Sequence, residues 1–320
     1  MVGSQVRPEI ERPLTIAVDA LLEGLIDYAG LFPPAGEDMR RALENYASYA
    51  QGPDRRALGR FIVPIARLAE LEDQAGDLMP RGKRADPWRL SVLVAEDIAA
   101  AVEEMSLFNR AHASGSRQGR AVIDVVEMKA TSPDDIGYQR RELPPEITAY
   151  FEIPLSGDLP GLLSAISDLQ VRAKVRTGGV TPDAFPPADK LTEFILACRS
   201  AGAAFKATAG LHHPVRADYR LTYEPESPKG LMYGFLNVFL AAALVYSGEG
   251  EDICRGVLEE SDPSAFTFDD SGIRWRDKIA TAAQIAAARS AFAIAFGSCS
   301  FREPVDELAA LTRNARSTTK

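Results

Sequence analysis

The chain has 320 residues, 46% of them hydrophobic and 25% charged, the proportions of a soluble globular protein that can bury a large core. Its net charge of −9 and pI near 5.1 argue against a nucleic-acid surface and against a polybasic membrane anchor, though not against a local basic pocket. The expected partner is a small anionic metabolite, and a homo-oligomer stays open.

The three cysteines, Cys198, Cys254 and Cys299, show no paired zinc spacing, which suits reduced thiols in a cytoplasmic protein. Residues 1–15 lack the apolar core of a secretion signal and read as a loose tail. Ile16 to Tyr28 has apolar residues at helical spacing and stops at Gly30 and Pro33-Pro34. Asp27, Tyr28, Phe32 and the prolines then form either a lid over a neighbouring site or a helix end pinned by Phe32. Glu37 to Ala50 reads as a second helix, within an N-terminal helical part spanning 16–56.

From Arg60 the pattern changes to short apolar runs separated by amphipathic stretches, the alternation of β-α units around a parallel sheet. Six runs stand out: Phe61–Ile65, Leu90–Val94, Ala121–Glu127, Ile147–Ile153, Val171–Arg176 and Ala203–Ala207. Helices are expected at Arg67–Leu78, Ile98–His112, Leu159–Leu169 and Lys190–Ala201. Beyond them, Pro214 to Pro228 reads as a long loop, Gly230 to Ser247 as a buried apolar helix, and Phe266 to Trp275 as a small hairpin. Thr281 to Phe296 reads as an Ala-rich helix, Gly297 to Phe301 as a turn, Glu303 to Leu311 as a last helix, and 313–320 as a polar tail.

The fold class is therefore α/β: a TIM-barrel-like parallel β/α barrel, complete or incomplete, with extra helices at both ends. One domain covers 16–312, with a C-terminal helical part at 229–312.

Strand parity concentrates charge on one face. Arg172, Lys174 and Arg176 share a face opposite Val171, Ala173 and Val175, and Lys206 shares one with Thr208. Glu127 ends the third run, while Tyr150 and Glu152 share a face of the fourth. If these strands are neighbours, acid, acid, base and base line up inside the barrel at its C-terminal end, where barrels of this kind keep their active sites. Lys206 stands among Ala203, Ala204, Phe205 and Ala207, so its ammonium needs a carboxylate or a ligand. A second ammonium nearby and partial desolvation both lower the pKa of a lysine and free its amine as a nucleophile. Thr177, Gly178 and Gly179, with Thr208 and Gly210, offer backbone N–H groups beside Arg176 and Lys206 as a cradle for carboxylate or phosphate.

The segments Lys174-Val-Arg-Thr-Gly-Gly and Phe-Lys206-Ala-Thr-Ala-Gly resemble the paired lysine motifs of class I aldolases of the deoxyribose-phosphate aldolase type. Those motifs read Lys-Thr-Ser-Thr-Gly-Phe and Lys-Ala-Ser-Gly-Gly and lie on adjacent barrel strands. The resemblance implies that Lys174 forms a Schiff base, that Lys206 tunes it, and that Glu127 or Glu152 shuttles protons, with no cofactor. It covers under a fifth of the chain. Arg176 stands where the family has a small hydroxyl residue, and Leu211-His212-His213-Pro214 has no counterpart there.

The histidine pair supports a different reading, a metal-assisted hydrolase or lyase in which His212 or His213 joins Glu127 and Glu152 around a divalent metal. Adjacent histidines on an extended segment point opposite ways, so one of the two reaches the cavity. A non-catalytic metabolite-binding protein would use the same cationic pocket without turnover. Cys299 has no histidine near it in sequence, which argues against a nucleophilic thiol.

Overall fold

All six apolar runs form strands, and two strands whose residues had read as helix close them into a ring. The computed structural model describes residues 15–95, 97–114 and 119–317. The expected N-terminal tail, apart from Thr15, lies outside them, as do residues 318–320. The barrel strands are β1 (Ile26–Tyr28), β2 (Leu58–Pro64), β3 (Trp88–Leu93), β4 (Ala121–Lys129), β5 (Thr148–Glu152), β6 (Arg172–Arg176), β7 (Phe205–Thr208) and a closing strand, Ala293–Ser298. Each pairs in parallel with its sequence neighbour, and the closing strand bridges β7 and β1. The fold is a closed eight-stranded β/α barrel of the TIM-barrel type.

Two expected helices are thus corrected. The first, α1, covers only Ile16–Leu22, capped by the Thr15 hydroxyl that accepts from the Val18 N–H. Gly24 takes φ +57°, a left-handed conformation that ends the helix, and β1 follows at once. Three residues are too few to show alternation. At the other end, α10 occupies Ala282–Ala291 behind a Thr281/Gln284 capping box, and the chain then enters the closing strand. Its alanines fit a helix as well as a strand, and the open edges of β7 and β1 decide between the two.

Between the strands run α2 (Met39–Gln51), α3 (Leu68–Ala75), α4 (Ile98–His112), α5 (Pro133–Glu142), α6 (Leu159–Asp168) and α7 (Ala188–Ala201). The polar α5 showed no apolar stripe because it buries only Ile136, and its Ser132/Asp135 capping box starts it. The long loop and the start of the apolar helix are a hairpin, Ala217–Arg220 paired antiparallel with Lys229–Met232. After it, α8 (Phe235–Tyr246) is buried along Phe235 to Val245, followed by α9 (Glu251–Glu259) and a three-stranded sheet of 266–268, 272–275 and 278–281. The last helix, α11, runs Arg302–Ser317, through most of the stretch expected to be a tail. Among the described residues no helix is long and apolar enough to cross a membrane.

The outward face of the barrel carries the apolar core. Phe205 of β7 is fully buried, with its ring edge-on to Phe194 of α7 at 5.3 Å and to Phe292 at 5.2 Å. Its N–H also donates to the Phe292 carbonyl at 2.7 Å, so one residue fastens β7 to both a helix and the closing strand. Phe205→Ala should destabilise the fold by about 3–5 kcal/mol, read as a lower urea midpoint with an unchanged m value.

Candidate functional site

Parallel register places Glu152 beside Lys174 and Lys174 beside Lys206, while Glu127 pairs with Tyr150 one strand away. The side chains meet inside the barrel. Lys206 Nζ donates to Asp27 Oδ2 at 2.5 Å and to Glu127 Oε1 at 2.7 Å. Lys174 Nζ lies 2.8 Å from Glu127 Oε2 and 2.9 Å from Glu152 Oε2, and the Arg176 guanidinium reaches Glu152 Oε1 at 3.2 Å. The Ser91 hydroxyl adds a third donor to Glu127, at 2.7 Å. The result is an unbroken chain of ion pairs, Asp27–Lys206–Glu127–Lys174–Glu152–Arg176.

Asp27 had read as part of either a lid or a helix end, and its place in the ion-pair chain was not expected. It is the middle residue of β1, and its second oxygen accepts from the Arg60 N–H at 2.7 Å. Gly59 makes room for it, since a Cβ there would sit 2.3 Å from Asp27 Oδ1. A strand this short gives no periodic signal, but a lone Asp among Ile26, Tyr28 and Leu25 could have marked it. Ser91, inside an apolar run, carried no charge to attract notice.

These contacts govern protonation. Burial disfavours the charged form of Lys206, but Asp27 and Glu127 outweigh it and raise its pKa above the ordinary lysine value. Burial likewise acts to raise Glu127, while Lys174 and Lys206 hold it well below the carboxylate range. Glu152 is also lowered, the attraction of Lys174 and Arg176 prevailing over desolvation.

A cavity of about 280 Å³ opens onto this chain. Lys174, Glu127 and Arg176 line it together with Gly179, Thr208, Gly210 and His212. Phe32, Pro33 and Pro34 line it as well, in a loop pinned by the Tyr28 hydroxyl to Glu37 at 2.5 Å and by Asn45 to Glu37 at 2.8 Å. The loop after β1 therefore borders the site, the first of its two readings.

Other expected residues lie elsewhere. Lys206 is fully buried beneath the cavity and does not line it. Thr177 is buried and spends its hydroxyl on the Ala209 carbonyl at 2.7 Å, tying the loops after β6 and β7 together. Gly178 packs closely beneath Phe185 and against Gly210. His213 turns away from the cavity, stacked on Tyr219 at 3.5 Å with Nδ1 2.9 Å from Glu307.

His212 does face the cavity. Its Nδ1 sits 3.4 Å from Glu303 Oε2 and 3.9 Å from Cys299 Sγ. Burial works to lower its pKa, yet Cys299 and Glu303 push it up to about 10. Cys299, which has no histidine near it in sequence, has one in space. The carboxylates and histidines of the metal reading are not gathered: Glu127 and Glu152 engage the lysines, His212 engages Glu303, and among the described residues no three His, Cys, Asp or Glu side chains form a ligand set.

No model of a known protein family matches this chain, and no curated protein matches it.

Removing Lys206 would leave Asp27 buried without its ammonium partner and Glu127 with Lys174 alone. Lys206→Met should therefore lower stability at pH 7 by about 3–5 kcal/mol. Glu127 has a depressed folded-state pKa, so its ionised form stabilises the fold above the unfolded value of about 4.3 and that contribution disappears as pH falls through the folded value. The gap between parent and variant should accordingly narrow from pH 7 to pH 3 in urea melts. A gap independent of pH would show that the charge pairing is not its cause.

Proposed function

We propose that the protein is an enzyme of lyase type, aldolase-like, that holds a small anionic carbonyl compound as an imine on Lys174. The observation that carries this reading is the unequal access of the two buried lysines to the cavity. Lys174 is the amine that lines the cavity, whereas Lys206 is sealed below it and fixed between Asp27 and Glu127.

The chemistry follows from the contacts. The Lys174 ammonium passes a proton to its carboxylate partner Glu152, and the free amine adds to the carbonyl carbon. The carboxyl returns that proton to the carbinolamine hydroxyl, which leaves as water, and the resulting iminium has its positive charge where the ammonium was, so the two carboxylates, both ionised again, stabilise it. Lys206 keeps Glu127 ionised and oriented, which makes it a positioning residue. Arg176, half-exposed at the mouth and paired on one side only with Glu152, is placed to take the anionic group of the substrate, with the backbone of Gly179 and Gly210 beside it. A volume of about 280 Å³, at the low end for ligand pockets, fits a substrate of few carbons.

The reading is tested by incubating the full chain with pyruvate, glycolaldehyde phosphate or dihydroxyacetone phosphate, adding borohydride and mapping the adduct by mass spectrometry. An adduct on Lys174 that is lost in Lys174→Met is expected. An adduct on Lys206, or none with any of the three, counts decisively against it.

A further inference from the structure

An imine on one carbonyl compound is half of a carbon–carbon bond reaction. The other half needs a group to exchange a proton with the oxygen of the second partner. The titratable residues lining the cavity are Glu127, Lys174, Arg176, His212 and Cys299. Lys174 is consumed by the imine, Arg176 does not release a proton in proteins, and Glu127 already accepts from Lys174, Lys206 and Ser91. That leaves His212 and its neighbour Cys299.

We propose that His212 is the acid–base catalytic residue for the oxygen of the second carbonyl partner, with Glu303 and Tyr223 as positioning residues. The inference rests on the lysine reading above. Nδ1 of His212 faces Glu303, and the Tyr223 hydroxyl donates to the same Glu303 oxygen at 2.9 Å. Nε2 has no hydrogen-bond partner among the described residues, so the ring is anchored through one nitrogen and open to the cavity through the other. A ring held this way by a carboxylate, itself held by a further donor, is the arrangement that fixes tautomer and orientation in general acid–base catalysis. The groups facing the imidazole are Cys299 ahead of α11, Glu303 on α11 and, through Glu303, Tyr223 of the hairpin. Cys299 and Glu303 keep it protonated near neutral pH, the state suited to donation.

In the joining direction, the iminium on Lys174 first gives a proton from its α-carbon to the Glu152 carboxylate, an ion-pair partner of Lys174 that later releases it to water, and becomes the enamine. The enamine electron pair then attacks the carbonyl carbon of the second partner, and the carbonyl π pair moves to oxygen, which takes the proton from Nε2. One proton is lost and one delivered, the nitrogen returns to iminium, and water releases the product. In the cleaving direction the neutral ring takes the proton from the hydroxyl group instead.

The test separates this inference from the imine itself. Using whichever of the three donors gives the largest Lys174 adduct, the adduct, the exchange of donor α-hydrogens in D₂O, and bond formation with glyceraldehyde or its 3-phosphate are measured for parent and His212→Gln. The variant should keep the adduct and the exchange and lose bond formation by about 10²- to 10⁴-fold. In Glu303→Gln the alkaline limb of the bond-forming rate should move to lower pH, because the carboxylate that raises the imidazole pKa is gone. Bond formation in His212→Gln equal to the parent, or a parent that forms the adduct yet joins no carbon–carbon bond, overturns the role of His212. An unmoved pH profile in Glu303→Gln overturns that of Glu303. Absence of the adduct in the parent overturns both this inference and the lysine reading.

Discussion

The interior of this barrel is organised by electrostatic neutralisation in a buried space. Three carboxylates, Asp27, Glu127 and Glu152, face two ammonium groups and one guanidinium along a continuous line of contacts. An isolated charge at such depth would cost several kcal/mol, and a pair repays this only when its remaining lone pairs and protons are also satisfied. Further donors support the carboxylates: Ser91 adds to Glu127, and the Arg60 N–H adds to Asp27. Toward the N-terminal ends of the strands the polar lining continues, with Arg60 paired to Asp124 at 2.7 Å and Arg172 donating to the Tyr150 hydroxyl at 2.8 Å. The barrel is filled by matched polar groups where many barrels carry aliphatic layers.

That line of charge also sorts the two lysines. Both come from strands of the same parity and are register partners, yet the closing of the ring by β1 brings Asp27 to Lys206 and leaves Lys174 nearer the open end. Depth, set by which strands meet, separates an amine enclosed in the network from one that also lines the cavity. The surrounding loops reinforce the difference. The loop after β1 is tied down by Tyr28 and Glu37, and the hairpin is tied to α11 by Tyr223 and Glu303, so the cavity walls are held by hydrogen bonds on two sides.

How much was legible follows from the length and chemistry of each element. β2 to β7 were readable because their apolar runs alternate with charged or turn residues, and the interior positions of Glu127, Glu152, Lys174 and Lys206 follow from strand parity alone. β1 was unreadable because three residues show no period. The closing strand was hidden because Ala293, Ile294, Ala295 and Phe296 continue an Ala-rich helix without a breaker. Missing β1 meant missing Asp27, and treating Gly297 to Phe301 as an isolated turn meant that Cys299 stood apart from His212.

The sequence by itself determined the alternation of strand and helix and the inward charge on four strands. Each of these is a property of a few consecutive residues, set by side-chain periodicity and local backbone preference. Only the tertiary structure decided that eight strands close the ring, that Lys206 lies below the cavity and Lys174 within it, and that His212 meets Glu303 and Cys299. Those are contacts between residues as far apart in sequence as Ile26 and Phe296, and no local pattern encodes them: they exist because ring closure brings the first strand and the last to the same place.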